Sequence, residues 1–181
     1  LQKAQQHWRE LDAHLQWCDE RIAAHRKDSE QVQRAAEPRG IGVITASAAV
    51  ATVGDFKQFK SGAQLGAWLG LTPTQHSSGG RQRLGSISCR GDAYLRTLLI
   101  QGARSSLQRA KAVSSEKATA EQLWIQSLAR RLPFGKVLVA IASKHARQLW
   151  AMLARDENYD RNAWARHPMA QRPKSNHAVP A

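Results

Sequence analysis

Acidic residues are scarce in this sequence: 14 Asp and Glu stand against 27 Lys and Arg, which gives a formal net charge of +13 and a pI near 10.7. A chain so short of acids attracts polyanions. It also lacks any apolar run near the roughly 18 residues that a membrane-spanning helix needs, and it shows no signal-peptide pattern. A membrane is therefore not an expected partner, and nucleic acid is the default one.

Cysteine is nearly absent as well. Cys18 and Cys89 are the only two, and they lie far apart in different contexts. Such a pair makes neither a disulfide framework nor a metal-binding cluster, and the seven histidines do not fall into ligand spacings. We therefore assign no metal ligands to this chain and expect a reducing cytoplasm as its location.

The basic charge is concentrated in the middle of the chain. Between residues 39 and 111, ten Lys and Arg are opposed by only two acids, Asp55 and Asp92. The N-terminal segment, in contrast, mixes acids and bases. The surface that attracts nucleic acid is therefore expected to come from this middle segment.

The first 32 residues show a heptad pattern. Its a and d positions are Leu1, Ala4, Trp8, Leu11, Leu15, Cys18, Ile22, His25, Ser29 and Val32. Spacings that alternate between three and four predict a coiled-coil helix over residues 1–37, which would join copies into a homo-oligomer, a dimer or a tetramer. An amphipathic helix packed on its own domain is the alternative. The chain begins at Leu1 inside this pattern, so we expect it to be the C-terminal piece of a longer protein.

Pro38 ends this helix, because proline cannot continue the helical hydrogen bonds. Gly40-Ile41-Gly42 and an Ala-rich helix follow, and this order resembles a helix-hairpin-helix, a module that contacts the sugar-phosphate backbone. Gly40 and Gly42 are candidate nucleic-acid-binding residues, since glycines let backbone N–H groups approach phosphate closely. The alternative is that both glycines only allow a tight corner between two helices.

Helical patterns continue to about residue 157. Ser61 and Asp92 are predicted N-caps of helices over residues 62–69 and 92–111, and a final helix pair covers 120–131 and 134–155. No useful strand pattern appears. The sequence thus predicts a mainly α-helical fold: a coiled-coil helix, a compact all-α domain over residues 38–157 with a helix-hairpin-helix-like element, and a disordered basic tail over 158–181.

A serine pair, Ser77-Ser78, precedes Gly79-Gly80 in the segment 76–83, which we call the serine loop. Four arginines surround the pair in sequence: Arg81, Arg83, Arg90 and Arg96. Guanidinium groups match phosphate oxygens, and a hydroxyl among them could attack phosphorus. These residues are candidate catalytic and nucleic-acid-binding residues, with His76 as a possible proton relay. A flexible turn and a solvated histidine are the plainer alternatives.

Three segments of the sequence together resemble a known family. They are GIGVITASAAVATVGDFKQFKSGAQLGAWLGLTP from Gly40, SSGG from Ser77 and LGSISCRGDAYLRTLL from Leu84. They resemble the C-terminal transposase domain of the IS-one-ten group of insertion-sequence transposases. The resemblance covers residues 40–111, and the combination is more specific than any one motif.

The resemblance implies a DNA recombinase guided by an RNA that the element encodes. It places the nucleophilic serine at Ser78, with Ser77 as the second choice. It also implies a RuvC-like domain with four acidic ligands for Mg²⁺, which this chain lacks. We therefore expect the chain alone to bind DNA and guide RNA without cleaving. The alternative is a non-catalytic basic binding and oligomerisation module.

Overall fold

The computed structural model describes residues 1–75, 84–160 and 163 of the 181-residue chain. Within these residues the fold has seven α-helices, one 3-10 turn and one two-stranded sheet. In chain order they are α1 (Gln2–Asp28), α2 (Glu30–Ala35), α3 (Val43–Val53), η1 (Phe56–Gln58), α4 (Gly62–Trp68), β1 (Pro73–Gln75), β2 (Leu84–Ile87), α5 (Ala93–Lys111), α6 (Ala120–Arg131) and α7 (Phe134–Ala154). The prediction of a mainly α-helical fold is confirmed.

The apolar core is centred on α5 and α7, which pack against each other, while α4 packs on α7 and α6 on α5. Both central helices bury residues at helical spacing, such as Leu95 and Leu99 on α5 and Ile141 and Leu149 on α7. None of these four side chains is more than 1 % exposed. The rest of the fold is therefore positioned by two long buried helices.

The N-terminal helix is shorter than predicted. Instead of one helix over residues 1–37, the backbone of Ser29 is extended, with φ −113° and ψ 110°, and its Oγ accepts a hydrogen bond from the Val32 N–H. Ser29 therefore ends α1 and caps α2. Serine side chains often accept hydrogen bonds from the backbone at helix starts. The polar residue that interrupts the heptad pattern at this position is therefore a cap.

Helix α1 buries no side chain, whereas α2 buries Val32 and Ala35 completely. Trp8 and Leu15 of the heptad pattern are 69 % and 64 % exposed. Only the end of α1 approaches the body, where His25 Nδ1 lies 3.4 Å from Ser47 Oγ on α3. The apolar face of α1 is thus presented to solvent rather than to its own domain.

The two strands correct the prediction of an all-α domain. β1 and β2 pair antiparallel, with Pro73 opposite Ile87 and Gln75 opposite Leu84. Strands of three and four residues are too short for an alternating apolar pattern to be recognised in the sequence. The two predicted N-caps are confirmed, since Ser61 Oγ accepts from Gln64 N–H at 3.2 Å and Asp92 caps α5.

No helix among the described residues is long and apolar enough to cross a lipid bilayer. The predicted disorder of the tail over 158–181 concerns residues that lie almost entirely outside the described part of the chain, so it stays a prediction.

Candidate nucleic-acid interface

The strands β1 and β2 lead into and out of the serine loop. The loop itself lies outside the described residues, and with it five of the candidates: His76, Ser77, Ser78, Arg81 and Arg83. What the structure does describe is the framework from which the loop starts. We call this framework, residues 69–72 and 88–91, the hairpin base.

Two glycines let the halves of the hairpin base touch. Gly70 and Gly91 both have left-handed backbones, with φ +71° and +88°. A Cβ added to Gly70 would lie 2.2 Å from the Arg90 carbonyl oxygen, and one added to Gly91 would lie 1.8 Å from the Trp68 carbonyl oxygen. Neither position has room for a side chain, so the two segments approach backbone to backbone.

Hydrogen bonds extend the sheet into the hairpin base. The Ser88 N–H donates to the Thr72 carbonyl at 2.9 Å, and the Cys89 N–H donates to the Gly70 carbonyl at 3.3 Å. Cys89 also has a left-handed backbone, with φ +53°, which is uncommon for a residue with a side chain. The chain is therefore held in a defined conformation on both sides of the serine loop.

The two remaining arginine candidates take different positions. The Arg96 guanidinium is half-buried, and its Nη1 donates to the carbonyls of Leu69 at 3.0 Å and Arg90 at 3.4 Å. Arg90 is exposed. The geometry thus brings Arg90 and Arg96 to the hairpin base, with Arg90 accessible and Arg96 bound to backbone.

The predicted phosphate-contacting glycines also differ from each other. Gly40 has φ +92°, and a Cβ there would lie 2.3 Å from Ser106 Oγ and 2.7 Å from His145 Cε1. Gly40 therefore packs against α5 and α7. Gly42 is exposed, has nothing within 4 Å of a built Cβ, and is the N-cap of α3 without a side-chain cap bond. Of the two, Gly42 is the one whose backbone is open to a ligand.

A groove of about 690 Å³ runs between the α2–α3 turn and α5. Its lining includes Arg39, Gly42, Gln101, Ser105 and Arg109. Helix α5 carries four basic residues and no acid. Because backbone N–H groups at a helix start and guanidinium groups both favour anions, this groove suits a phosphate backbone better than an apolar ligand. The hairpin base and the groove share α5 as a common support.

His145, which lies beneath the α2–α3 turn, was not predicted as a functional residue. Burial lowers the pKa of this imidazole from 6.5 to about 4; Glu121 opposes the shift, Lys144 adds to it, and a hydrogen bond to the Arg39 backbone opposes it. Among the described residues, Nδ1 of the ring has no hydrogen-bond partner. His145 is therefore a neutral group at pH 7 that helps to hold the turn. In the sequence it looks like one more residue of an apolar helix face.

The stability of the domain is expected to decrease as the pH falls from 6.5 towards 4. In that range the unfolded chain binds a proton at His145 that the folded chain excludes, which costs about 1.4 kcal/mol per pH unit. Above pH 6.5 both states are neutral, and this effect vanishes. Urea unfolding of the wild type at pH 7.5 and 5.0 should show a loss about 2 kcal/mol larger than that of His145→Gln. Equal losses of unfolding free energy in the two proteins would show that His145 does not cause this pH dependence.

No group of three or more His, Cys, Asp or Glu in the described part of the chain could hold a metal ion. Two of the acids have structural partners instead: Asp156 pairs with Arg34 at 3.0 Å, and Glu121 pairs with Lys144 at 3.0 Å. These carboxylates stabilise helix packing and do not converge on one point. Cys18 and Cys89 are free and exposed.

Part of the chain matches the model of a known protein family. Residues 32–119 match the model of the Transposase IS116/IS110/IS902 family. This segment begins in α2 and includes the α2–α3 turn, the hairpin base and α5. It therefore contains both parts of the candidate interface.

Individual relatives cover more of the chain. A protein of Pseudomonas aeruginosa named "Probable family 20 transposase" is 48 % identical over 149 residues, which is 82 % of this chain and 43 % of the relative. The transposase for insertion sequence element IS1111A of Coxiella burnetii is 42 % identical over 78 % of this chain and 38 % of its own length. The transposase for IS1328 of Yersinia enterocolitica is 36 % identical, over 84 % and 44 %. The chain thus spans about two fifths of the length of these relatives.

Proposed function

We propose that this chain is the serine-bearing part of a DNA transposase, because residues 32–119 match the model of the Transposase IS116/IS110/IS902 family. The matched relatives are named as transposases of insertion sequences or as a family 20 transposase. The net charge of +13 supports contact with DNA, because Lys and Arg release counterions from phosphates. On this proposal the chain recombines the DNA of an insertion sequence as part of a longer protein.

The proposed chemistry is a transfer of one phosphodiester. The Ser78 hydroxyl loses its proton to a base, with His76 as the candidate, and its oxygen forms a bond to phosphorus. The bond from phosphorus to one strand end breaks, and that end leaves as a hydroxyl once it gains a proton. A hydroxyl of another strand then gives its proton to the base and forms a bond to the same phosphorus. The bond from phosphorus to the serine oxygen breaks, the serine regains a proton, and the bond energy of the phosphodiester is retained.

The charge that develops on the phosphate oxygens in this step needs nearby cations. Arg81 and Arg83 follow the serine pair after Gly79-Gly80, and Arg90 is exposed at the hairpin base. Their guanidinium groups are the candidates for this role. Ser77 is the second choice for the nucleophile, because the two serines are adjacent and the resemblance does not determine which of them matches the family's nucleophile.

The observation that carries this proposal is the construction of the hairpin base. A nucleophile must be directed at phosphorus within narrow limits, because misplacement by about 1 Å reduces the rate strongly. A turn that only connects two strands has no such requirement. The backbone contacts at Gly70 and Gly91 leave no space for a Cβ, and they fix the segment before β1 against the segment after β2.

Mg²⁺ enters the proposal only through the RuvC-like domain that the family resemblance implies for the longer protein. Among the described residues no group of three or more His, Cys, Asp or Glu could hold Mg²⁺, and two of the acids are engaged elsewhere: Asp92 in a helix cap and Asp156 in an ion pair. No step is therefore assigned to a metal within this chain. A chain without the RuvC-like carboxylates is proposed to bind nucleic acid and to be inactive in cleavage by itself.

Guide RNA and DNA are the proposed partners. If base pairing with a guide RNA selects the target, the protein needs to recognise backbone and shape rather than base edges. The groove lined by Arg39, Gly42 and Arg109 offers backbone amides and guanidinium groups, which suits that task. The free thiols of Cys18 and Cys89 fit the reducing cytoplasm in which we propose that the protein acts.

The test of this function is a search for a covalent protein–DNA product. A full-length transposase that contains this chain is incubated with guide RNA and labelled donor and target DNA, and the products are separated on a denaturing gel. A labelled band at the mass of the protein would support the proposal. Tight binding without any such band would favour the second candidate function, a basic binding module without chemistry, for which the net charge alone is sufficient.

The exposed face of α1 supports the proposal of a homo-oligomer. Its heptad positions Trp8, Leu11 and Leu15 are 69 %, 47 % and 64 % exposed, although apolar residues at this spacing are normally covered by a partner helix. Two copies that pair through α1 would cover these side chains. A dimer is the simplest product, and a tetramer could follow from the same helix.

A parallel pairing of α1 makes a specific prediction for Cys18. This residue occupies a d position and is exposed in the single chain, so a parallel, in-register pair places two copies of it face to face. Mild oxidation is expected to give a covalent dimer that Cys18→Ser abolishes and Cys89→Ser does not, as read on a non-reducing gel. A dimeric mass in solution without cross-linking would indicate antiparallel pairing, and a monomer would contradict the oligomer proposal.

A further inference from the structure

We propose that Arg96 is a positioning residue: it holds the hairpin base in the geometry from which the serine loop reaches the DNA, and it is not a phosphate contact. This inference rests on the proposed function, because it concerns the same serine. Arg96 was singled out in the sequence as one of four arginines that could bind nucleic acid. Its contacts in the structure lead to a different role.

The first contact of Arg96 completes helix α4. The last carbonyls of a helix have no partner within that helix. Leu69 is the C-cap residue of α4, and its carbonyl accepts a hydrogen bond from Arg96 Nη1 at 3.0 Å. A cation is also favourable at this end of a helix, because the helix dipole is negative there. Arg96 therefore fixes the point at which the chain leaves α4 towards β1.

The second contact fixes the returning half of the hairpin. The same Nη1 lies 3.4 Å from the Arg90 carbonyl oxygen, two residues before α5 starts at its cap Asp92. The same carbonyl oxygen lies so close to Gly70 that Gly70 has no room for a Cβ. One guanidinium thus joins the segment before β1 to the segment after β2. Because Arg96 is on the first turn of the buried helix α5, the junction is anchored to the core.

The distinction from a phosphate contact can be tested by substitution. Lysine keeps the positive charge and would keep most of a contact to phosphate. Its side chain is shorter than that of arginine, however, so its ammonium nitrogen is expected to lose at least one of the two carbonyls that Arg96 Nη1 contacts. Arg96→Lys therefore separates the two roles. Arg131→Lys is the matched control, since Arg131 is an exposed arginine in the last turn of α6, outside the candidate interface.

The first measurement is amide hydrogen exchange by NMR on this chain. In Arg96→Lys the amides of Ser88 and Cys89, which donate across the hairpin base, are expected to exchange about tenfold faster than in the wild type, the ratio that follows from losing a hydrogen bond to a charged group. The amides of α7 should not change, which excludes a general loss of stability. Arg131→Lys should leave all of them unchanged. Unchanged exchange at Ser88 and Cys89 in Arg96→Lys would overturn the proposal.

The second measurement uses the full-length transposase. Arg96→Lys is expected to lower the rate of covalent product formation by about tenfold or more while the Kd for DNA stays within about twofold. A weaker Kd for Arg96→Gln, with a salt dependence reduced by about one counterion and unaltered exchange at the hairpin base, would make Arg96 a phosphate contact and overturn the proposal. If the wild type forms no covalent product, the serine chemistry fails, and the exchange result alone decides whether Arg96 orders the hairpin.

Discussion

Replacing Ser78 with alanine is expected to reduce the covalent protein–DNA product of the full-length transposase by about a thousandfold or more, because no other group can replace a deleted nucleophile. Binding should persist, since the basic groups that neutralise phosphate are unchanged. The Kd for DNA is expected to stay within about twofold of the wild-type value. Quantification of the labelled band on a denaturing gel, together with a binding titration at the same salt concentration, measures both quantities.

Ser77→Ala is the matched control for this experiment, because it removes the same oxygen from the neighbouring residue. It is expected to keep most of the covalent product. If Ser77→Ala abolishes the product and Ser78→Ala does not, the nucleophile is Ser77 rather than Ser78. A product of normal yield from both variants would exclude a serine nucleophile in this pair and leave the basic binding module as the better description.

Local features of the chain are predictable because their causes are local. The helix over 120–131 was predicted with the bounds that α6 has, and Ser61 and Asp92 cap α4 and α5 as expected. In each case one side chain next to an apolar repeat determines where a helix starts. The end of α1 at Ser29 was missed for the same reason, because a serine inside a heptad pattern can also serve as a cap.

Contacts between distant segments were not predictable from one sequence. Nothing in an apolar repeat distinguishes His145 from its neighbours, yet it lies buried under the turn that contains Gly40. The hairpin base is a similar case: Gly70 and Gly91 belong to the motifs that carry the family resemblance, and both are needed for a backbone approach between segments twenty residues apart. Gly40, which the sequence suggested as a phosphate contact, is a position of close packing, and so are the motif glycines Gly70 and Gly91. The sequence identifies the residues, but only the fold assigns them to packing or to binding.

The strongest effect on stability is expected at Gly102, in the middle of α5. Helix propensity alone predicts that Gly102→Ala stabilises the protein by up to about 1 kcal/mol, because glycine weakens a helix interior. The structure predicts the opposite. A Cβ at Gly102 would lie 1.9 Å from the Gly40 carbonyl oxygen, and that atom is backbone and cannot rotate away. To relieve this clash, α5 and the α2–α3 turn must move apart, and this movement disrupts the packing between them.

We therefore expect Gly102→Ala to lower the free energy of unfolding by about 3 kcal/mol and the Tm by roughly 6–12 °C. Gly66→Ala is the matched control, because Gly66 also lies within a helix but has nothing within 4 Å of a built Cβ. That variant should be as stable as the wild type or more stable. Urea and thermal unfolding of both variants at pH 7.5, where His145 is neutral in both states, measure the difference. A Gly102→Ala protein as stable as Gly66→Ala would show that the turn is not packed against α5 as described, and Gly40 would then return as a residue whose backbone is open to phosphate.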